Sequence, residues 1–150
     1  MQERRKTVNT TADIRRTVLV VDDHLSVGMI LSAALAAHDF NVLTAGSGTE
    51  ALKICRHYPG TIDVLLSAFG LRPKEPDPPH LIRHDHIEYG LTLVRRALEM
   101  RPSLKIVLFS GHSDESLVSS RIPEDWPIVR RPCDLKTLLK TLGEAVRVAA

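Results

Sequence analysis

The sequence has little cysteine, almost no net charge and no long apolar run. Its two cysteines, Cys55 and Cys133, form no closely spaced pair. That argues against a disulfide framework and suits reduced thiols in the cytoplasm. The formal net charge of +2 is too small to argue for a nucleic-acid partner. Arg4, Arg5, Lys6, Arg15 and Arg16 make the N-terminus locally positive, and we read a solvated arm there. No apolar stretch could span a bilayer or serve as a signal peptide, so no membrane partner is expected and the expected location is cytoplasmic. A catalytic triad, a phosphate-cradling glycine loop and a zinc-type spacing are missing as well. The chain is not expected to be an enzyme.

What is present is an ordinary globular composition, 43% hydrophobic and 25% charged over 150 residues, enough for one domain with one core. Residues 1–16 are polar and aperiodic, so they read as a flexible arm ahead of a domain over 17–148. Thr17 to Asp22 (TVLVVD) is apolar without alternation, as expected of a strand buried on both faces. Val27, Ile30, Leu31, Ala34 and Leu35 follow at helical spacing. Phe40 to Ala45 reads as a second strand. Ser47-Gly48-Thr49-Glu50 is a capping box, and the helix it opens ends at Pro59-Gly60. Ile62 to Ala68 (IDVLLSA) reads as a third buried strand. Residues 72–86 hold Pro73, Pro76, Pro78 and Pro79 among many charges and read as a long inserted loop.

Ile87, Leu91, Val94 and Leu98 mark another helix, and Leu104 to Ser110 a fourth strand. A short helix is expected near Ser113. Pro127 to Arg131 is a weak fifth strand. Asp134 caps a last helix with Leu135, Leu138, Leu139, Leu142 and Val146 on one face. Five β-α repeats with buried strands imply an α/β, three-layer, doubly wound parallel sheet with right-handed crossovers.

In such a sheet the functional site lies at the carboxyl ends of the strands. Those ends carry Asp22, Asp23, Ala68, Ser110 and Arg131. Adjacent carboxylates on a loop can hold a hard cation such as Mg²⁺, which takes oxygen ligands. A competing structural reading makes Asp23 a cap for the first helix.

Several motifs in the right order resemble the receiver domains of two-component response regulators, the chemotaxis-regulator-like family, over roughly residues 17–148. VLVVDDH (Val18–His24) is similar to the family's acidic-pair opening, and AGSGTEAL (Ala45–Leu52) to its second strand and helix. IDVLLSAFGL (Ile62–Leu71) resembles the third strand, which in the family ends in the phospho-accepting aspartate. SGH (Ser110–His112) resembles the Ser/Thr-small motif after the fourth strand, and RRPCDLKTLL (Arg130–Leu139) the Lys-Pro stretch. The resemblance implies the flavodoxin-like receiver fold with strand order 2-1-3-4-5. It implies that Asp22, Asp23 and the Gly70 carbonyl face the metal, that Ser110 is the hydroxyl that follows the phosphoryl group, and that Pro132 follows a cis bond.

Three positions depart from that pattern. Ala68 stands where the phospho-accepting aspartate belongs, Arg131 where the family has lysine, and Ile128 at the usual aromatic switch position. Ser67 is a poor substitute acceptor, because alternation along a strand turns it away from the acidic pair. A methyl group cannot perform nucleophilic catalysis, and losing the carboxylate removes a metal ligand. Mg²⁺ is therefore expected to bind weakly, with Arg131 placed to reach Asp22 or Asp23 in its stead.

His80, His84 and His86, beside Asp85 and Glu88, match no metal signature and read as a solvated loop. Trp126 reads as packing, or else as an interface anchor on a surface the family uses for partners. Cys55 reads as core. If residue 150 ends the whole chain, no effector domain fits after it, and the expected function is a stand-alone receiver-like module of phosphorelay signalling. It would work by protein contact without aspartyl phosphorylation, with a sensor histidine kinase, a phosphotransfer protein or another regulator as partner. The alternatives are an ordinary phosphorelay receiver carrying an engineered Asp-to-Ala change at position 68 and, less favoured, an aspartate-dependent phosphatase. The phosphatase lacks the Asp-x-Asp arrangement it would need.

Overall fold

The computed structural model describes residues 15–68, 86–110, 122–123, 125–130 and 134–148. Residues 1–14 of the expected arm (1–16), 72–85 of the expected loop (72–86), the expected helix near Ser113, and Gly70, Arg131, Pro132 and Cys133 lie outside the described residues, whereas Arg16 already belongs to the first strand and His86 to a helix.

Five strands build the sheet: β1 (Arg16–Val21), β2 (Phe40–Ala45), β3 (Val64–Ala68), β4 (Lys105–Ser110) and β5 (Ile128–Arg130). All pair in parallel, in the order β2-β1-β3-β4-β5. The four described helices are α1 (Leu25–Ala36), α2 (Gly48–His57), α3 (His86–Met100) and α4 (Leu135–Val148). The expected three-layer α/β architecture with strand order 2-1-3-4-5 is what the chain adopts.

The apolar runs become the central strands because both of their faces are covered. Leu19, Val21, Leu65, Ile106 and Leu108 pack under α2 and α3. Val18, Val20, Val64, Leu66 and Val107 pack on the opposite face, under Leu35 of α1 and Leu138 and Leu142 of α4. Trp126 is half-buried against the first of these clusters, and Cys55 is inside it.

The end signals act mostly as read. Ser47 Oγ accepts the Glu50 N–H at 3.1 Å. Glu50 reaches one residue further back than a capping box requires, accepting the Gly46 N–H at 2.6 Å. Asp134 Oδ1 accepts the Thr137 N–H at 2.8 Å and so starts α4. Two face assignments need correction. Ile30 is 69% exposed, because α1 is apolar all round and spacing alone does not choose its buried side. Leu135 is 36% exposed, since it sits in the first turn of α4, ahead of the residues that meet the sheet.

Candidate functional site

Asp63 fixes the register that places the site. Its carboxylate accepts the Thr17 N–H at 2.7 Å, its own N–H donates to the Thr17 carbonyl at 2.9 Å, and its carbonyl accepts the Lys105 N–H at 3.0 Å. Arg16 lies 3.6 Å from the second carboxylate oxygen. β1, β3 and β4 are thereby tied together at their amino ends. Four residues on, Val21 stands opposite Ser67, and one residue later Ala68 stands opposite Phe109. Asp22 and Ala68 therefore leave the sheet as neighbours at its carboxyl end. Ala68 is buried there at 7% exposure and offers only a methyl group. Ser67 is fully buried and shares the parity of Leu65 on the strand, and its hydroxyl donates to the Ala68 carbonyl at 3.3 Å. It is not turned toward Asp22, which follows the opposite parity.

The acidic pair is held by local geometry. The Asp22 N–H donates to the Ala45 carbonyl at 3.1 Å, extending the β1–β2 ladder by one bond. Asp22 Oδ1 accepts the His24 N–H at 2.9 Å, which turns the chain into α1. The N-cap of α1 is His24, with no side-chain cap bond. Asp23 is thus not the capping residue. The two carboxylates have side-chain exposures of 2% and 8%, whereas the His24 ring is 60% exposed. His24 Nδ1 lies 3.2 Å from Asp22 Oδ1 and 3.2 Å from Asp23 Oδ1. One donor atom from each of the three residues falls within 4.8 Å of the others. The fourth corner that would serve Mg²⁺ best, a carboxylate from the end of β3, is the Ala68 methyl. A donor set of two carboxylates and an imidazole fits the all-oxygen demand of Mg²⁺ poorly.

Ser110 is the last residue of β4, and Ile128, 38% exposed, is the first of β5. The roles assigned to the Ser110 hydroxyl, Gly70, Arg131 and Pro132 lie outside the described residues.

Two features escaped the sequence reading. α1 has no charged residue among its twelve, and Met29 and Ile30 are 64% and 69% exposed. Between Met29 on α1 and Val42 and Thr44 on the edge strand β2 runs a groove of about 460 Å³ that reaches Asp22. The signal was legible in retrospect as twelve residues, LSVGMILSAALA, without a charge to mark the solvent side. The second feature is Arg101. Its guanidinium donates to the carbonyls of Cys55 (2.7 Å), Gly60 (2.8 Å) and Tyr58 (2.6 Å), closing the end of α2. Burial pushes the Cys55 thiol pKa up, with the Arg101 charge opposing it.

No described helix is long and apolar enough to cross a membrane. The chain matches no protein-family model, and no curated protein matches it. Solved structures do resemble it. A response regulator receiver domain protein from Clostridium thermocellum superposes with a TM-score of 0.71 at 22% identity, covering 89% of this chain and 95% of that one. A response regulator receiver protein from Sinorhizobium medicae gives 0.69 at 22% identity, with 91% and 98% covered. The receiver domain of the hybrid histidine kinase CckA gives 0.63 at 24% identity, with 87% and 98% covered. These likenesses place the fold among receiver domains.

Proposed function

We propose that this chain is a receiver-type module of phosphorelay signalling that acts through protein contact and is not phosphorylated on aspartate. The receiver fold supports the signalling role. Ala68 carries the second half of the reading. It occupies the carboxyl end of β3 beside Asp22 and offers only a methyl group, whereas an acyl phosphate needs a carboxylate nucleophile. Contact is favoured at α1. A helix without charge that exposes Met29 and Ile30 beside the acidic pair is an apolar patch of the kind that marks an interaction surface. A helical partner of the phosphorelay, a sensor histidine kinase or a phosphotransfer protein, would lay its own apolar stripe there, with the groove beside β2 taking one anchoring side chain. No turnover is assigned to the chain. Intact mass after incubation with acetyl phosphate and Mg²⁺ tests the reading. The expected result is an unchanged mass. A stable gain of one phosphoryl group that hydroxylamine removes would overturn it.

A further inference from the structure

The misfit between the acidic pair and Mg²⁺ has a positive side, which lies in His24. We infer that Asp22, Asp23 and His24 form a site for a borderline divalent cation, with Zn²⁺ as the reference ion, in which the imidazole supplies the third ligand that Ala68 no longer offers.

The distances suit that ion. Zn²⁺ binds imidazole nitrogen and carboxylate oxygen at about 2.0–2.1 Å in tetrahedral geometry, which separates neighbouring donors by roughly 3.3 Å. His24 Nδ1 is 3.2 Å from an oxygen of each carboxylate. An ion placed among the three atoms meets near-tetrahedral spacing on both edges that involve the nitrogen, and the carboxylates offer oxygens within 4.8 Å of each other on the third. The donor chemistry points the same way. Imidazole favours zinc, copper and nickel, whereas magnesium takes oxygen. The backbone bond from His24 to Asp22 Oδ1, at 2.9 Å, orients one ligand against another. The carboxylates are nearly buried and the His24 side chain is 60% exposed, so the side of the imidazole is where an ion would enter. The fourth position of the tetrahedron falls to water.

The inference rests on the same placement of Ala68 as the proposed function, but not on the absence of phosphorylation, so the two can fail separately. The full chain has seven histidines and two cysteines, so the test has to be specific to position 24. Zn²⁺ and Mg²⁺ are titrated into the wild type, His24→Ala and His24→Gln. Affinity is measured by competition with a chromophoric chelator, and the imidazole nitrogens are followed by NMR. The His24 ring is exposed, so neither substitution is expected to disturb folding, and the NMR spectra of the variants verify that directly. The expected result is that one equivalent of Zn²⁺ shifts the His24 Nδ1 resonance and the Asp23 and Ala68 amides. Both substitutions should weaken that binding by about 10- to 100-fold and leave the weak response to Mg²⁺ unaltered. Zn²⁺ affinity that survives His24→Ala, with the His24 nitrogens unperturbed in the wild type, would assign the metal to other histidines and overturn the inference. No response at the acidic pair to either ion would also overturn it, as when the Arg131 guanidinium already neutralises the carboxylates.

Discussion

Val21 and Ser67 face each other in the parallel ladder between β1 and β3, so the residue after each, Asp22 and Ala68, emerges at the same end of the sheet. Adjacent strands lie about 4.8 Å apart, which is the range across which a carboxylate at position 68 would share a cation with Asp22. The site's character is set by that one pairing, and the pairing is set four residues earlier by the bonds that Asp63 makes to Thr17 and Lys105.

The Arg101 clamp should be one of the larger single contributions to stability. Three charge-assisted bonds to carbonyls at the end of α2 also complement the negative end of the helix dipole. Arg101→Ala is expected to cost about 2–4 kcal/mol in urea unfolding. Arg101→Lys should recover less than half of that, because the three donors of an ammonium radiate from one atom and cannot span carbonyls that Arg101 reaches from three separate nitrogens. A loss below about 0.5 kcal/mol for Arg101→Ala would mean that water replaces the clamp without cost.

Asp134 gives a pH signature. Its bonds to Thr137 hold the carboxyl pKa below the ordinary value of 3.8. A carboxylate whose pKa is lower in the folded chain than in the unfolded one stabilises the fold above the unfolded value. That contribution fades as pH falls through the folded value. Asp134→Ala should therefore lower the melting temperature at pH 7, and the gap to wild type should close as the pH is taken from 5 down toward 3 and below. A gap that stays constant over that range would remove charge from the capping role.

Met29 and Ile30 test the contact surface. Both are more than 60% exposed, so Met29→Asp and Ile30→Asp should leave the circular dichroism spectrum unchanged and the melting temperature within a few degrees. Each should lower the affinity for the cognate kinase or phosphotransfer partner at least tenfold, because a charge is then desolvated in an apolar contact. Measured affinities within twofold of wild type would move the contact surface elsewhere.

The contrast between what the sequence declared and what it concealed has a physical basis. The strands, the cap at Ser47 and the cap at Asp134 are local, and short-range pattern specifies them. Counting from Asp63 along the buried run places Ala68 at the strand end, because a strand has a fixed two-residue repeat. The spacing misplaces Ile30 because α1 is apolar on every face, leaving the sheet rather than the pattern to choose the buried side. The Arg101 clamp was invisible because its acceptors are backbone carbonyls 41 to 46 residues away, and carbonyls have no sequence signature. The meeting of His24 Nδ1 with two carboxylates likewise depends on how the chain turns into α1, a matter of dihedral angles that adjacency in sequence does not determine.

The most direct test of where the site lies is the melting temperature of Ala68→Asp and of the wild type as Mg²⁺ is raised. The new carboxylate would join Asp22 and Asp23 at the end of β3. Without metal, three carboxylates repel, and the variant should melt below the wild type. With Mg²⁺ the repulsion becomes coordination. For a dissociation constant of about 1 mM, 10 mM Mg²⁺ contributes roughly 1.4 kcal/mol by linkage, equivalent to about 3–5 °C in a domain of this size. The account predicts that the variant gains this increment and the wild type gains far less. Equal gains in the two proteins would mean that position 68 does not adjoin the acidic pair, and would contradict the assignment of the site.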